Sequence, residues 1–192
     1  MKMEIQLPKP DFKGTKSLEK CIYERESVRN YKDKEIELEK ISQILWASQG
    51  KKGQKRTVPS AGATYPLEIY VNIKDKGFFH YNLEKHLLEL INKNDLSEKI
   101  AEASWNQHFI AKAYVNIIIC AEFSKTTRRY GQRGLRYVFM EVGHCAQNIH
   151  LEVISLGLTS VPIGAFEDER VKKVLALKNN IEPLYIIPIG YP

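Results

Sequence analysis

Cysteine is scarce in this sequence of 192 residues, and its three cysteines are far apart. Cys21, Cys120 and Cys145 form no CxxC pair, so their spacing favours neither a disulfide framework nor a zinc site. No apolar run reaches the roughly 18 residues of a membrane span, and the first residues lack the apolar core of a signal peptide. We therefore expect a protein of the reducing cytoplasm that does not enter a membrane.

Several common catalytic motifs are also missing. The sequence contains no GxxxxGK[ST] loop, no GxGxxG turn, no HExxH helix and no GxSxG elbow. Glu141 and His144 form a single ExxH, whereas a di-iron bundle needs two such motifs and two further Glu residues. The sequence therefore predicts no metal site.

The formal charge of +6 comes from 29 Lys and Arg against 23 Asp and Glu. Nine of the basic residues lie in two acid-free segments, residues 50–57 and residues 125–136. Acidic residues outnumber basic ones in the rest of the chain. The second segment is expected to be a solvated loop or an anion site, because the chain is basic only locally.

The apolar pattern predicts one α+β domain with a mixed sheet covered by helices. Residues 1–16 are expected to form an N-terminal arm, and residues 17–192 the domain. Strands are predicted over residues 67–74, 78–83, 115–123 and 184–190, and helices over residues 35–48, 83–91, 96–103, 135–156 and 167–177. The helix at 135–156 is apolar on nearly all sides, so a second copy of the chain is expected to supply part of its burial.

Three segments are candidates for ligand binding. If residues 25–29 are extended, Arg25, Ser27 and Arg29 face one side, a grouping that suits a phosphate. The alternative is an ordinary solvated junction between a helix and a loop. Residues 59–66 and 160–166 are rich in small side chains, which would let a flat ligand lie against the backbone. The alternative for residues 59–66 is a tight connection into the next strand.

Together these segments resemble the FMN-dependent nitroreductase superfamily, and most closely its branch of SagB-type dehydrogenases. The motifs RESVRNY, PSAGATYPLE and GHCAQN follow one another in the order and spacing of that family. The resemblance covers nearly all of the chain after the arm. It implies a three-layer α+β sandwich with a central, mainly antiparallel sheet, in an intertwined homodimer with FMN sites at the interface.

The resemblance also implies roles for single residues. Arg25 and Ser27 would hold the phosphate and ribityl end of FMN, and Arg29 would lie near the phosphate or the N1–O2 edge. The partner subunit would pack four residues on the flavin, namely Pro59, Ser60, Ala61 and Gly62. Two more would pass under the ring, Ile163 and Gly164.

Many relatives carry a basic residue beyond the last strand that contacts the phosphate, whereas this sequence ends at Tyr191-Pro192. We expect one of three arginines to replace that contact: Arg129, Arg133 or Arg136. The stretch between Phe123 and Arg133 is short, which implies an open and permissive cleft. Four aromatic residues are candidates to line it, namely Tyr65, Phe109, Tyr130 and Phe166.

The activity implied is hydride transfer from NADH or NADPH, through flavin N5, to an electron-poor acceptor such as a nitroarene or a quinone. No side chain is assigned as an acid or a base, because the cofactor carries the chemistry. One alternative is an azoline oxidase that acts on modified peptides with a partner cyclase, as SagB-type proteins do. Another is a non-redox protein that binds flavin or nucleic acid. The local clustering of charge favours anionic cofactors over nucleic acid.

Overall fold

A seven-stranded antiparallel sheet forms the centre of the fold in the computed structural model, which describes residues 3–192. The strands are β1 (Glu4–Gln6), β2 (Lys51–Lys52), β3 (Lys55–Arg56), β4 (Leu67–Ile73), β5 (Gly77–Asn82), β6 (Leu87–Asn92), β7 (Val115–Ala121), β8 (Thr159–Ser160) and β9 (Glu182–Gly190). The sheet has the order β1-β6-β5-β4-β7-β9-β8, while β2 and β3 form a separate small hairpin. The predicted α+β class with a central antiparallel sheet is confirmed.

Helices cover both faces of this sheet. They are α1 (Leu18–Glu24), α2 (Leu38–Gln49), α3 (Ser97–Ala103), α4 (Phe109–Lys112), α5 (Ser124–Tyr130), α6 (Arg133–Ser155) and α7 (Asp168–Val174). Every residue of β7 is buried, and its side chains alternate between two apolar clusters. Ile117 and Ile119 join the cluster under α2 and α6, while Ile118 and Cys120 join the one under α3 and α7. This alternation makes β7 the middle of a three-layer sandwich.

Two segments differ from their predicted structure. A helix was expected over residues 83–91, but the chain turns at His86, with φ +51°, into strand β6. The Leu and Glu residues there favour a helix locally, yet β6 pairs with β5 on one side and with β1 on the other, and those pairings prevail. Residues 124–130 form α5, so most of the expected basic loop is helical.

The first described residues pack along the body of the fold. β1 adds an edge strand beside β6, and the carbonyl of Pro8 accepts a hydrogen bond of 2.6 Å from Ser42 on α2. Asp11 and Gln43 exchange two further hydrogen bonds. These contacts hold the segment ahead of α1 against α2, while the predicted domain boundary at residue 17 stays a prediction.

The long helix α6 has a buried face and an exposed apolar face. Val138, Val142 and Ile149 lie in the core. Phe139 and Met140 are 56% and 52% exposed. In a single chain this helix is therefore not buried on all sides, and the surface it leaves open is apolar.

Candidate functional site

The segment that follows α1 is extended. Arg25 has φ −61° and ψ 118°, and Ser27 forms a parallel bridge with Ser160 of β8. The amide of Val28 donates to the carbonyl of Ser160 at 3.1 Å, and the Val28 side chain is half-buried. The extended conformation that would place Arg25, Ser27 and Arg29 on one side of the segment is confirmed.

These three side chains have few partners in the part of the chain that the structure describes. There, no carboxylate pairs with Arg25 or Arg29, and the Ser27 hydroxyl makes no hydrogen bond. The Arg29 guanidinium lies 5.9 Å from the ring centroid of Phe109. Two unneutralised guanidiniums and a free hydroxyl make this segment suitable for an anion.

A buried histidine on α6 forms a hydrogen bond to β8. His150 of α6 is 4% exposed, and its Nδ1 lies 2.7 Å from the Ser160 hydroxyl in a hydrogen bond. Its Nε2 is buried and has no partner among residues 3–192. Burial, reinforced by the nearby Arg25 charge, lowers the pKa of His150 to about 4. The ring is therefore neutral at pH 7.

The loop after β8 is held beside this segment. Ile163 and Ile186 exchange two backbone hydrogen bonds of 2.8 and 2.9 Å, which attach the loop to β9. Gly164 is exposed, and a Cβ at that position would meet only the Tyr185 ring, at 3.4 Å. Phe166 is buried in the apolar cluster under α3 and α7. We name the residues gathered here the β8 cluster: Arg25, Ser27, Arg29, Phe109, Ile163 and Gly164.

A second group forms around a single 3₁₀ turn, Ala61–Ala63. Gly62 has φ +58°, in the left-handed region that glycine tolerates best. The Ser60 hydroxyl accepts a hydrogen bond from the amide of Tyr65 at 2.9 Å, and Arg129 donates to the Gly62 carbonyl at 3.0 Å. Helix α5 thereby clamps the turn. The Ser60 cluster comprises Pro59, Ser60, Ala61, Gly62, Tyr65, Arg129 and Tyr130.

The other two candidate arginines lie at the start of α6. Arg133 and Arg136 are exposed, and neither has a hydrogen bond or an ion pair in the described chain. Arg129, in contrast, already holds the Gly62 carbonyl. The three arginines therefore differ in how free they are to bind an anion.

The Ser60 cluster borders a cavity of about 290 Å³ whose lining includes Pro59, Ala61, Tyr137 and Glu141. Glu141 is 3% exposed, and its Oε1 has no hydrogen-bond partner among the described residues. Burial raises the pKa of this carboxyl, although Ser60, Gln49 and Arg56 oppose the shift.

Within one chain the two clusters meet helix α6 at different positions along its axis. The β8 cluster is attached to α6 at His150, and the Ser60 cluster is attached at Glu141. Nine residues of helix separate these positions, which is about 13 Å along the axis. A larger cavity of about 720 Å³ lies between the N-terminal segment, α2 and α6, and its lining includes no predicted site residue.

Metal-binding groups and membrane-spanning helices are both absent from the described residues. Among residues 3–192, no group of three or more His, Cys, Asp or Glu side chains is arranged to hold a metal ion. In the same part of the chain, no helix has both the length and the apolar character needed to cross a membrane.

Comparison with known proteins agrees with this architecture. The profile of the Nitroreductase family matches residues 22–191. A protein of Methanocaldococcus jannaschii, provisionally assigned as a nitroreductase, is 45% identical over 195 aligned positions, which cover 98% of this chain and 96% of that protein. A crystal structure from Ralstonia eutropha, also a provisional nitroreductase, matches with a TM-score of 0.88 at 25% identity, covering 98% of this chain and 89% of the other.

A relative with a different name is the microcin B17-processing protein McbC of Escherichia coli. It is 25% identical over 160 aligned positions, which span 78% of this chain and 59% of McbC.

With its fold, its motifs and its relatives in agreement, this chain belongs to the nitroreductase family. Its class is therefore that of an oxidoreductase.

Proposed function

We propose that this protein is an FMN-dependent oxidoreductase that transfers a hydride from NADH or NADPH to an electron-poor acceptor such as a nitroarene or a quinone. The observation that carries this proposal is the β8 cluster. In a chain of the nitroreductase family, unpaired Arg25 and Arg29 flank Ser27 on an extended segment beside the open backbone of Gly164.

The residues present fit FMN. Its phosphate carries about −1.5 to −2 charges, which two unpaired guanidiniums and a hydroxyl can accept without displacing an existing ion pair. Gly164 leaves its side of the cluster open, because no side chain projects from that position. Arg133 and Arg136 are also unpaired and are available as further contacts to the phosphate.

The chain's own part in the reaction is binding and orientation. A bound FMN supplies the hydride chemistry. Arg25 and Ser27 hold its phosphate end, and Arg29 supplies positive charge beside the ring edge, where charge develops. His150 holds Ser160, and through it the backbone of the Arg25–Arg29 segment, in a fixed position.

We include a homodimer in the proposal, because the two clusters are separated within one chain. The β8 cluster of one subunit and the Ser60 cluster of the other would then complete each site. The exposed apolar side chains Phe139 and Met140 of α6 offer an interface, and Ile22 of α1 is also 56% exposed. F139E is expected to yield a monomer with little FMN, as measured by analytical ultracentrifugation at flavin and protein wavelengths. A wild-type monomer that holds one full equivalent of FMN would contradict the shared site.

The decisive experiment is the absorption spectrum of the purified protein during anaerobic titration with NADH and with NADPH. We expect a flavin spectrum that the nicotinamide bleaches and that a quinone restores. R25A should retain much less FMN than R128A, its charge-matched control on an exposed face of α5. A protein that neither contains FMN nor takes it up would refute the proposal, and bound FMN that neither nicotinamide reduces would support the non-redox alternative.

The three candidate arginines are tested in the same assay. Alanine is substituted for Arg129, Arg133 and Arg136 in turn, and the affinity for FMN is measured. Weaker binding is expected for Arg133 or Arg136, because both are unpaired. Unchanged retention in all three variants would show that none of them contacts the phosphate.

A second candidate function is oxidation of azoline rings in modified peptides, together with a partner cyclase. The similarity to McbC, whose name describes microcin processing, favours it. Incubation with an azoline-containing peptide in air, without a nicotinamide, distinguishes this activity. Loss of two hydrogens from the peptide, detected by mass spectrometry, would support the oxidase, and an unchanged peptide together with nicotinamide-dependent quinone reduction would support the first function.

A further inference from the structure

Glu141 is a buried residue whose carboxyl group is only partly hydrogen-bonded within the described chain. It lies near the middle of α6, is 3% exposed, and leaves Oε1 without a hydrogen-bond partner in the described chain. Among residues 3–192 the Nε2 atom of Gln49 on α2 also has no hydrogen bond of good geometry, although Gln49 lies close enough to lower the pKa of Glu141. Buried polar atoms without partners are rare and unfavourable, so a group that completes the hydrogen bond is expected at this place.

The cavity beside Glu141 is suited to a flat ring. Its volume is about 290 Å³, and Pro59, Ala61 and Met140 give it apolar walls. Glu141 is the only carboxyl group among its lining residues in the described chain. Mostly apolar walls with a few polar side chains, here Ser60, Tyr137, Glu141 and His144, are typical of sites that orient a planar ligand.

Burial and three neighbouring groups shift the pKa of Glu141 in opposite directions, and burial has the larger effect. Burial raises the pKa of the carboxyl. The opposing groups are Ser60 from the loop, Gln49 from α2 and Arg56 from the small hairpin, and none forms an ion pair with it. On its own helix, Tyr137 and His144 line the same cavity, and the Cys145 thiol is buried. In its protonated form this carboxyl donates a hydrogen bond.

We propose that Glu141 is a cofactor-binding residue whose carboxyl group donates a hydrogen bond to an acceptor atom of the flavin ring packed against the Ser60 cluster. This inference rests on the proposed function, because it takes FMN as the ligand. It adds a residue from the centre of α6, outside the three segments that the sequence motifs indicate. It also makes the affinity for FMN dependent on pH.

The sign of that dependence follows from the charge. When the pH rises through the pKa of Glu141, the carboxyl loses its donor hydrogen and becomes an anion beside an anionic cofactor. Binding of FMN to wild type is then expected to weaken. In E141Q the amide still donates and never ionises, so this component of the pH dependence disappears.

The experiment measures the dissociation constant of FMN by quenching of its fluorescence, from about pH 5.5 to about pH 8.5. The proteins are wild type, E141Q, E141L and E152Q. Glu152 is a matched control, because it lies on the same helix, burial also raises its pKa, and it contacts neither cluster. Comparing wild type with E141Q at each pH cancels the titration of the phosphate, which both share.

We expect E141Q to bind FMN within about twofold of wild type at the acidic end, and about five- to tenfold more tightly than wild type at the alkaline end. E141L should bind about fivefold more weakly than E141Q at the acidic end, which is the net contribution of one hydrogen bond. E152Q should follow wild type throughout. Circular dichroism of the folded variants accompanies each titration.

Two outcomes would overturn the inference, and they are distinguishable. If wild type binds FMN while E141Q and E141L follow its curve at every pH, Glu141 does not contact the flavin and the proposed function still stands. If wild type does not bind FMN at any pH, the proposed function fails and this inference fails with it.

Discussion

The substitution His150→Leu is expected to reduce the loss of unfolding free energy that the protein shows as the pH falls below about 7. His150 is neutral in the folded protein, because burial and the Arg25 charge lower its pKa from 6.5 to about 4. The unfolded chain exposes the ring to water and binds a proton near the ordinary value. Protons therefore bind to the unfolded chain first as the pH falls, and the folded state loses stability between about pH 6.5 and pH 4.

The magnitude follows from the size of that shift. A difference of about 2.5 pKa units corresponds to about 3 kcal/mol once the pH lies below both values, at about 1.4 kcal/mol per unit. Between about pH 7 and pH 5, the same shift removes about 2 kcal/mol of unfolding free energy. This interval lies above the range in which most carboxylates titrate, so the histidine contribution is separable from theirs.

The assay is urea unfolding of the protein without FMN, followed by circular dichroism at about pH 7, 6 and 5. Wild type should lose about 2 kcal/mol across this range, and H150L should lose much less. The Ser160 hydroxyl loses its partner in H150L, so that variant starts from a lower stability and only the change with pH is compared. H144L, on the exposed face of the same helix, should follow wild type.

An equal loss of stability with pH in wild type and H150L would refute this reasoning. It would mean that water reaches the His150 ring or that the ring is already charged in the folded state. The reasoning would also be contradicted if H144L lost as little stability between about pH 7 and pH 5 as H150L does. The pH dependence would then not depend on the burial of His150.

Two further predictions concern the sheet surface and the loop glycines. Burial opposes ionisation of Glu68, but hydrogen bonds from His80 and Lys125 lower its pKa to about 2. E68Q should therefore be about 1–2 kcal/mol less stable at pH 7 in urea unfolding, and the difference should shrink as the pH falls from about 4.5 toward 2; a gap that stays constant with pH would exclude this origin. G62A should lower stability by about 1 kcal/mol, because φ is +58° and the new Cβ would overlap the hydroxyl of Tyr130 on α5. G164A, whose Cβ would only touch a ring at 3.4 Å, should retain stability but weaken FMN binding; equal melting temperatures for the two variants would contradict the comparison.

Local pattern was sufficient for most elements of the fold. The β-branched run at Val115–Ala121 is a buried strand, and residues 67–83 form a hairpin at nearly the predicted bounds. The helix predicted over residues 83–91 was wrong. The local helix preference of these residues is overridden, because β6 pairs with β5 and with the N-terminal strand β1. The pairing of β6 with β1 joins residues about 80 positions apart in the sequence, so the pattern of a short stretch of residues cannot reveal it.

The candidate site, like the fold, could be predicted only in part from the sequence. The spacing of Arg25, Ser27 and Arg29 indicated a candidate row of anion-binding groups, with a solvated junction as the alternative, and the small residues near Ser60 and Gly164 indicated two candidate loops. The pairing of His150 with Ser160 was not predicted, although a polar residue in an otherwise apolar helix was a signal for it. Glu141 was considered only as one half of an incomplete metal motif.

The sequence by itself determined the family, the alternation of the central strands and the segments that carry the candidate anion-binding residues, because each depends on spacing within one short stretch. Only the tertiary structure decided that these segments form two clusters, which meet α6 at two buried titratable side chains about 13 Å apart along the helix axis. It also decided that Arg25 and Arg29 have no ion-pair partner among residues 3–192, whereas Arg129 is bonded to Gly62. The burial of a side chain and its hydrogen-bond and ion-pair partners depend on contacts between residues far apart in the sequence. Only the folded structure determines those contacts.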